Sequence, residues 1–194
     1  MLEDRIGVFV CHCGTNIAGP VNCQTVTEEV ARTDVALVRE HAYMCTGGQA
    51  QILSDIEEYD LDRIVVAACS PRIHEETFRE VCEEAGINPY MMEMVNIREQ
   101  CSWCHTHEPD AATQKAIDLV LMGIEKVKLN KPLTPIEVPM TKRALVIGGG
   151  ISGIEASIQL ADLGHNVILV EKGPTIGGKM AQLNKIFPDQ NCSP

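Results

Sequence analysis

The stretch ALVIGGGISG, residues 144–153, decides the fold of the carboxyl-terminal part of this chain. It begins with a four-residue apolar strand, and its glycines at 148, 150 and 153 have the spacing of a dinucleotide-binding turn. In such a turn the first glycine permits the bend, the second lets the backbone approach a pyrophosphate, and the third lets a helix pack on the strand. The amino end of that helix offers free N–H groups to phosphates. The stretch therefore predicts a strand, a turn and a helix that bind a dinucleotide.

The residues after this turn complete a βαβ unit. We expect a helix over 151–163 and a strand over 166–171 that ends at Glu171, roughly twenty residues beyond the first glycine, where an acid binds ribose hydroxyls. A glycine-rich turn without a ligand would leave this acid unexplained. A second pair, Gly177-Gly178, is similar to that of FAD enzymes related to disulfide reductases. One βαβ unit leaves a sheet face and an edge uncovered, so we expect further sequence or another polypeptide to complete the core.

The residues before the turn alternate apolar runs with helical patterns. The predicted strands are 5–10, 35–44, 63–68 and 90–95, and the predicted helices are 23–32, 48–59, 74–85 and 110–129. Such alternation favours a parallel sheet of the α/β class. Three prolines within residues 131–141 indicate a stiff, extended linker. We therefore predict an amino-terminal parallel-sheet α/β domain over 1–130, this linker, and, over 142–194, the first βαβ unit of a Rossmann-type domain.

Composition excludes several classes of function. The net charge of -11 disfavours nucleic acid as a partner, because phosphate binding needs concentrated lysine and arginine. No apolar run reaches the length of a membrane span, and the amino terminus has no apolar segment of a signal peptide, so we expect a cytoplasmic protein. Nine cysteines then need an explanation, and metal binding or redox chemistry is favoured over disulfides in that compartment.

Cysteines stand at or beyond the ends of all four predicted amino-terminal strands. They are Cys11, Cys13, Cys45, Cys69 and Cys101. Because ligands of a parallel sheet bind outside the carboxyl ends of its strands, we expect these thiols to converge. Convergent thiolates indicate an iron–sulfur cluster or structural zinc, and the irregular spacing favours the cluster over the paired cysteines of zinc sites. Buried packing is the simpler alternative for any one of them, and it is what we predict for Cys23 and Cys82 on apolar helix stripes.

Several longer motifs resemble one family. They are VFVCHCG at 8–14, YMC at 43–45, ACSPRIHE at 68–75, NIREQCSW at 96–103, KRALVIGGG at 142–150 and GGKMAQL at 177–183. With them the chain resembles the A subunit of the heterodisulfide reductases of methanogenic archaea and other anaerobes. The resemblance extends over essentially the whole chain. It implies an iron–sulfur domain joined to a thioredoxin-reductase-like FAD domain, with FAD and a [4Fe-4S] cluster as cofactors.

The resemblance also assigns site residues. FAD would be held by Gly148, Gly150, Ile151, Ser152, Gly153, Glu171, Lys172, Gly177, Gly178, Lys179 and Met180. The preferred cluster ligands are Cys13, Cys45, Cys69 and Cys101, with Cys11 as a substitute, and Cys192 belongs to a motif that helps bind another cluster. Cys104 departs from the family pattern, where an apolar residue is expected.

The family's activity is flavin-based electron bifurcation, which couples reduction of the CoM-S-S-CoB heterodisulfide to reduction of ferredoxin in methanogenesis. The implied partners are the other heterodisulfide reductase subunits, a hydrogenase or formate dehydrogenase subunit that delivers electrons, and ferredoxin. Two alternatives remain open. One is a flavin-dependent dithiol–disulfide oxidoreductase that uses Cys101 and Cys104, whose spacing suits a redox pair. The other is a zinc-stabilised scaffold that docks redox proteins.

Overall fold

A computed structural model describes residues 4–183, 185–188 and 191–192 of the chain. These residues form two compact units, Met1–Pro135 and Ile136–Pro194. The division falls inside the proline-containing segment that the sequence marks as a linker. Both units are mixed α/β structures with parallel strand pairs, which confirms the α/β class. The functional boundaries of the domains stay a prediction.

The first unit is built on a four-stranded parallel sheet in the order β2-β1-β3-β4. Its strands are β1 (Ile6–Cys11), β2 (Leu37–His41), β3 (Arg63–Ala68) and β4 (Met92–Asn96). The two central strands, β1 and β3, are almost completely buried, as expected for strands covered by helices on both faces. All four carboxyl ends therefore lie at one edge of the sheet.

Among the described residues of this unit, six helical segments surround the sheet. They are α1 (Thr15–Ala18), α2 (Cys23–Val30), α3 (Gln49–Glu58), α4 (Pro71–Glu84), a 3-10 helix (Ser102–Cys104) and α5 (Pro109–Leu129). Two separate hydrophobic cores lie on the opposite faces of the sheet, and alternate residues of β1 belong to one or the other. Ile6, Val8 and Val10 pack with residues of α2 and α5, whereas Phe9 and Cys11 pack with residues of α3 and α4. Within the described residues, no helix combines the length and apolarity that a membrane crossing needs.

Several element boundaries differ from the sequence prediction for local reasons. Helix α4 begins three residues before the predicted start, because Ser70 caps it by accepting the Arg72 amide and Pro71 suits a first helical position. Strand β2 is only half as long as predicted, and the chain beyond it turns at Tyr43, whose carbonyl accepts three successive amides from 46–48. Helix α1 and the 3-10 helix are absent from the sequence prediction, since neither is long enough to show a period.

The second unit contains the expected βαβ arrangement. Strand β5 (Arg143–Ile147) pairs in parallel with β6 (Asn166–Val170), and α6 (Ile151–Asp162) connects them. A 3-10 helix (Met180–Gln182) and a short antiparallel pair of β7 (Lys185–Ile186) and β8 (Asn191–Cys192) follow. None of the residues of α6 is buried. One helix on two strands thus leaves much apolar surface uncovered, as the sequence predicts.

Candidate functional site

Four cysteines lie near one another at the carboxyl edge of the sheet in the first unit. Cys11 ends β1 and Cys69 follows β3, and both thiols are buried in the core on the α3–α4 side. Cys13 and Cys45 are half-buried and pack against the same core. Cys11 interacts electrostatically with Cys13 and Cys45, and Cys69 interacts with Cys13 and Cys11. We call Cys11, Cys13, Cys45 and Cys69 the cysteine group.

The backbone around Cys11 is arranged to receive a thiolate. The amides of Cys13 and Met44 lie 3.3 and 3.4 Å from Cys11 Sγ and donate to it. Burial raises the pKa of the Cys11 thiol, and these two amides oppose that rise. Cys13 itself has φ of +48°, a left-handed conformation that costs a non-glycine residue about 1 kcal/mol or more. The chain thus bends sharply to place two sulfurs two residues apart.

Arg98 supplies the positive charge of this edge. Its Nη1 lies 3.1 Å from Cys13 Sγ and its side chain is mostly buried. Burial raises the pKa of the Cys69 thiol to about 11, and the charge of Arg98 acts against that rise. The role of Arg98 is not evident from the sequence alone. A lone arginine just after the fourth strand, at the edge where ligands bind, is the signal that could have found it.

Cys101, one of the four preferred ligands, is not brought into the cysteine group. It is completely buried in the other core, on the α2–α5 side, and its thiol donates to the Ala112 carbonyl at 3.1 Å. Cys101 lies apart from the group because of the path of the loop after β4. This strand ends at Asn96, and the next five residues carry the chain beneath α5. Cys11, expected only as a substitute, lies near Cys13, Cys45 and Cys69.

Cys101 and Cys104 are poorly placed for a redox pair. Cys104 is exposed and donates to the Glu99 carbonyl at 3.2 Å, whereas Cys101 is inaccessible. Reactive cysteines are thiolates with at least partial exposure, which Cys101 lacks. The five residues 101–105 also have the CxxCH spacing of a c-type haem attachment site, and the same burial keeps Cys101 from such a bond.

The thiols of the cysteine group are donors of the kind that hold an iron–sulfur cluster. In the part of the chain that the structure describes, no three His, Cys, Asp or Glu side chains are grouped to hold one metal ion. A zinc site would need four sulfurs each about 2.3 Å from one atom. A four-iron cluster is larger, so its thiolates stand further apart. Four neighbouring thiols, backbone amides aimed at sulfur and one guanidinium suit that larger group.

Cys23 and Cys82 are core residues, as the sequence predicts. Cys23 packs in the core between α2, α5 and the sheet, and Cys82 packs in the core on the opposite face. Burial raises the pKa of each thiol to about 12. Cys23 interacts electrostatically with Cys11 and Glu40 but packs in the core on the α2–α5 side, apart from the core that contains Cys11 and Cys69.

We expect the buried thiol of Cys82 to make the chain less stable at high pH. An unfolded cysteine ionises near pH 9.0, whereas folded Cys82 keeps its proton to about pH 12. Between these values only the unfolded chain loses the proton, so the free energy of unfolding falls as pH rises through this window and is unaffected below it. Urea unfolding of reduced protein at pH 8 and pH 11 measures this fall. The fall in unfolding free energy should be smaller in Cys82→Ala than in the parent. Cys104→Ala, which changes an exposed thiol, should show the same fall as the parent. Equal falls in all three chains would contradict the prediction.

The second unit presents the glycine turn as a cradle. Gly148 has φ of +106° and its amide donates to the Val170 carbonyl, which ties the turn to β6. A Cβ on Gly153 would lie 1.8 Å from the Gly148 carbonyl oxygen, so only glycine lets α6 approach the strand. A Cβ on Gly150 would meet nothing within 4 Å, which leaves open space in front of the helix amino end. That space fits the pyrophosphate of a dinucleotide.

The two glycine-rich segments are brought together. The Gly177 amide donates to the Gly149 carbonyl, and Gly177 forms a parallel bridge with Gly150. Glu171, at the end of β6, accepts the Gly149 amide through Oε2 and the Gly173 amide through Oε1, each at 2.7 Å. These amides, Gly173 first, lower the pKa of the Glu171 carboxyl. Each oxygen keeps a lone pair that a ribose hydroxyl can use.

The remaining predicted residues lie around this cradle. Ile151 and Ser152 form the exposed first turn of α6, Lys172 and Lys179 lie beyond the strand end and the second glycine pair, and Met180 opens the second 3-10 helix. The backbone of Cys192 pairs with Lys185. The Cys192 side chain lies outside what the structure describes, so its role in a cluster stays a prediction.

Comparison with known proteins gives results for both units. Residues 144–189 match the family described as FAD dependent oxidoreductase. The iron-sulfur A subunit of a CoB--CoM heterodisulfide reductase from Methanopyrus kandleri is 58% identical over 98% of this chain and 29% of its own length. The A subunit of the Ferredoxin/F(420)H(2)-dependent CoB-CoM heterodisulfide reductase of Methanosarcina acetivorans is 53% identical over 97% of this chain and 24% of its own.

A third relative extends the same pattern. The A subunit of the H(2):CoB-CoM heterodisulfide,ferredoxin reductase of Methanothermobacter thermautotrophicus is 49% identical over 100% of this chain and 30% of its own length. The chain therefore spans less than a third of the length of these relatives. Among solved structures, the lactose-specific IIB component domain from Streptococcus pneumoniae is similar with a TM-score of 0.33 and 16% identity, over 62% of this chain and 98% of its own. A similarity that low does not establish a shared fold.

Proposed function

Since this chain is homologous over nearly all of its length to the A subunit of heterodisulfide reductases, we propose that it is the iron–sulfur and flavin part of an electron-transfer protein of that type. The observation that carries the proposal is the placement of four cysteines near one another at the carboxyl edge of one parallel sheet. A [4Fe-4S] cluster, when bound, supplies one-electron transfer. In this proposal its ligands are Cys11, Cys13, Cys45 and Cys69.

The residues around the cysteine group would stabilise such a cluster. Amides of Cys13 and Met44 and the guanidinium of Arg98 stabilise negative charge on the sulfurs. The buried position of Cys11 and Cys69 keeps water from one side of the site. Both features are the ones by which proteins adjust a cluster's potential.

The second unit would hold the adenosine and pyrophosphate part of FAD. The turn at 148–153 offers N–H groups and open space to the pyrophosphate, and Glu171 offers carboxylate oxygens to the ribose. The match of residues 144–189 to an FAD dependent oxidoreductase family supports FAD over NAD. We also propose that the complete FAD domain has a thioredoxin-reductase-like arrangement.

The names of the relatives guide the proposal for the whole protein. They mention ferredoxin, H2, F420H2 and the CoB-CoM heterodisulfide. We propose that the flavin divides electron pairs from a hydrogenase or formate dehydrogenase subunit between ferredoxin and the subunits that reduce the heterodisulfide. This is flavin-based electron bifurcation, and it would take place in the cytoplasm of an anaerobe. The protein's part is to bind and isolate the flavin between cluster chains.

Metal and flavin analysis of anaerobically purified protein tests the proposal. We expect about four iron and an equal amount of sulfide per chain from the cysteine group, with visible absorbance that bleaches on dithionite. Titration with FAD, and competition by ADP, tests the second unit separately. Zinc without iron or sulfide would refute the cluster and would support the scaffold alternative, because zinc has no visible absorbance. Colourless protein without metal would refute both.

A further inference from the structure

The guanidinium of Arg98 is held in one orientation by three different partners. Nη1 lies 3.1 Å from Cys13 Sγ, while Nε and Nη2 donate to Glu99 Oε1 at 3.2 and 2.7 Å. The group also lies over the indole of Trp103, 4.9 Å from the ring centroid. The side chain is 15% exposed. Arginine alone among the cationic side chains can donate along two edges and stack at once.

The loop that carries Arg98 is itself fixed. Asn96, buried at the end of β4, accepts the amides of Arg98 and Glu99 through Oδ1 at 3.1 and 3.0 Å. Ser102, also buried, donates to the Asn16 carbonyl at 2.7 Å and so ties the loop to α1 beside Cys13. Both side chains therefore hold the guanidinium against the cysteine group by hydrogen bonds to the backbone.

We propose that Arg98 is a positioning residue that raises the reduction potential of the cluster through its charged hydrogen bond to the Cys13 sulfur. This inference rests on the proposed function of the cysteine group. Reduction would add one electron to a bound cluster that its thiolate ligands already make anionic, and a fixed positive charge with a hydrogen bond to sulfur would stabilise the more negative state. Glu99 neutralises the opposite edge of the guanidinium and directs Nη1 toward the sulfur.

The chain contains a matched control at Arg79. This arginine is also largely buried, also pairs with a nearby carboxylate, that of Glu75, and also lies over an aromatic ring, that of Tyr90 at 4.7 Å. No hydrogen bond joins Arg79 to a described cysteine sulfur. The variants Arg98→Met and Arg79→Met thus each remove a positive charge, an ion pair and a contact with an aromatic ring. Only Arg98→Met also removes a hydrogen bond to a cysteine sulfur.

The test is a dithionite titration of the 194-residue chain, monitored by visible absorbance and electron paramagnetic resonance. The iron and sulfide content of each sample is measured first. Relative to the parent, we expect Arg98→Met to shift the reduction equilibrium about tenfold toward the oxidised form. For a one-electron couple this is a reduction potential about 59 mV lower. Arg79→Met should leave it unchanged. If Arg98→Met does not retain its cluster, Arg98→Lys replaces it and should give a smaller shift in the same direction.

The outcomes separate this inference from the proposed function. A parent chain without iron and sulfide overturns both. A parent with a cluster whose potential is the same in the Arg98 variants overturns only the role of Arg98. Equal shifts in Arg98→Met and Arg79→Met also overturn it, because the effect would then come from a general loss of charge or packing.

Discussion

Replacing Cys11 with alanine is expected to remove the iron–sulfur cluster, whereas replacing Cys101 with alanine is expected to leave it bound. Cys11 lies with Cys13 and Cys45 at the sheet edge and accepts two backbone amides through its sulfur. The loss of even an outer contact of a metal ligand costs about 10- to 100-fold in affinity. Losing one of four metal–sulfur bonds should therefore weaken cluster binding by at least about a hundredfold. Iron and sulfide content and visible absorbance after anaerobic purification measure this.

Cys101→Ala is a close control, because it removes a thiol of the same size from a position that is also buried. It removes the hydrogen bond to Ala112 and leaves a small cavity under α5, so we expect a loss of about 1 kcal/mol in stability with full iron content. Urea unfolding of the two variants shows whether folding is retained. A chain that keeps its iron without Cys11 but loses it without Cys101 would contradict the ligand assignment and restore the one based on sequence spacing.

Replacing Gly153 with alanine is expected to weaken FAD binding strongly by disrupting the turn itself. The new Cβ would lie 1.8 Å from the Gly148 carbonyl oxygen, a contact with backbone that a side-chain rotation cannot relieve. Overpacking of this kind costs about 2 kcal/mol or more, which corresponds to roughly thirtyfold in affinity. Titration with FAD, followed by flavin fluorescence, measures the loss, and circular dichroism reports the loss of helix α6.

Gly150→Ala separates the fold of the turn from its ligand. The added methyl group meets no protein atom within 4 Å, and the backbone there has ordinary negative φ, so the unit should remain folded. The methyl group would instead occupy the space that we assign to the pyrophosphate, and FAD affinity should still fall. Gln159→Ala on the exposed face of α6 should change neither property. FAD binding by Gly150→Ala at the parent's affinity would show that the pyrophosphate lies elsewhere.

Much of the fold is predictable from local sequence. The buried strands β1 and β3 are apolar runs of strand length, and α5 shows a helical stripe over its whole length, so the parallel α/β class follows from their alternation. The predicted start of α4 is too late, because the Ser-Pro pair that caps the helix looks, by its pattern alone, like part of the preceding loop. The glycine turn is predicted with its strand and helix, since Gly148 has a positive φ and Gly153 lies against the Gly148 carbonyl only five residues away.

The sequence by itself determined which residue types stand at the sheet edge, and the tertiary structure decided which of them meet. Cysteines beyond the strand ends can be counted along the chain, but the side of the sheet to which a loop returns depends on packing. Cys11 faces α3 and α4 with Cys69, whereas the loop after β4 carries Cys101 beneath α5. Arg98 reaches Cys13 across 85 residues of sequence. Contacts over such a separation arise only when helices close on both faces of the sheet, and no local pattern records them.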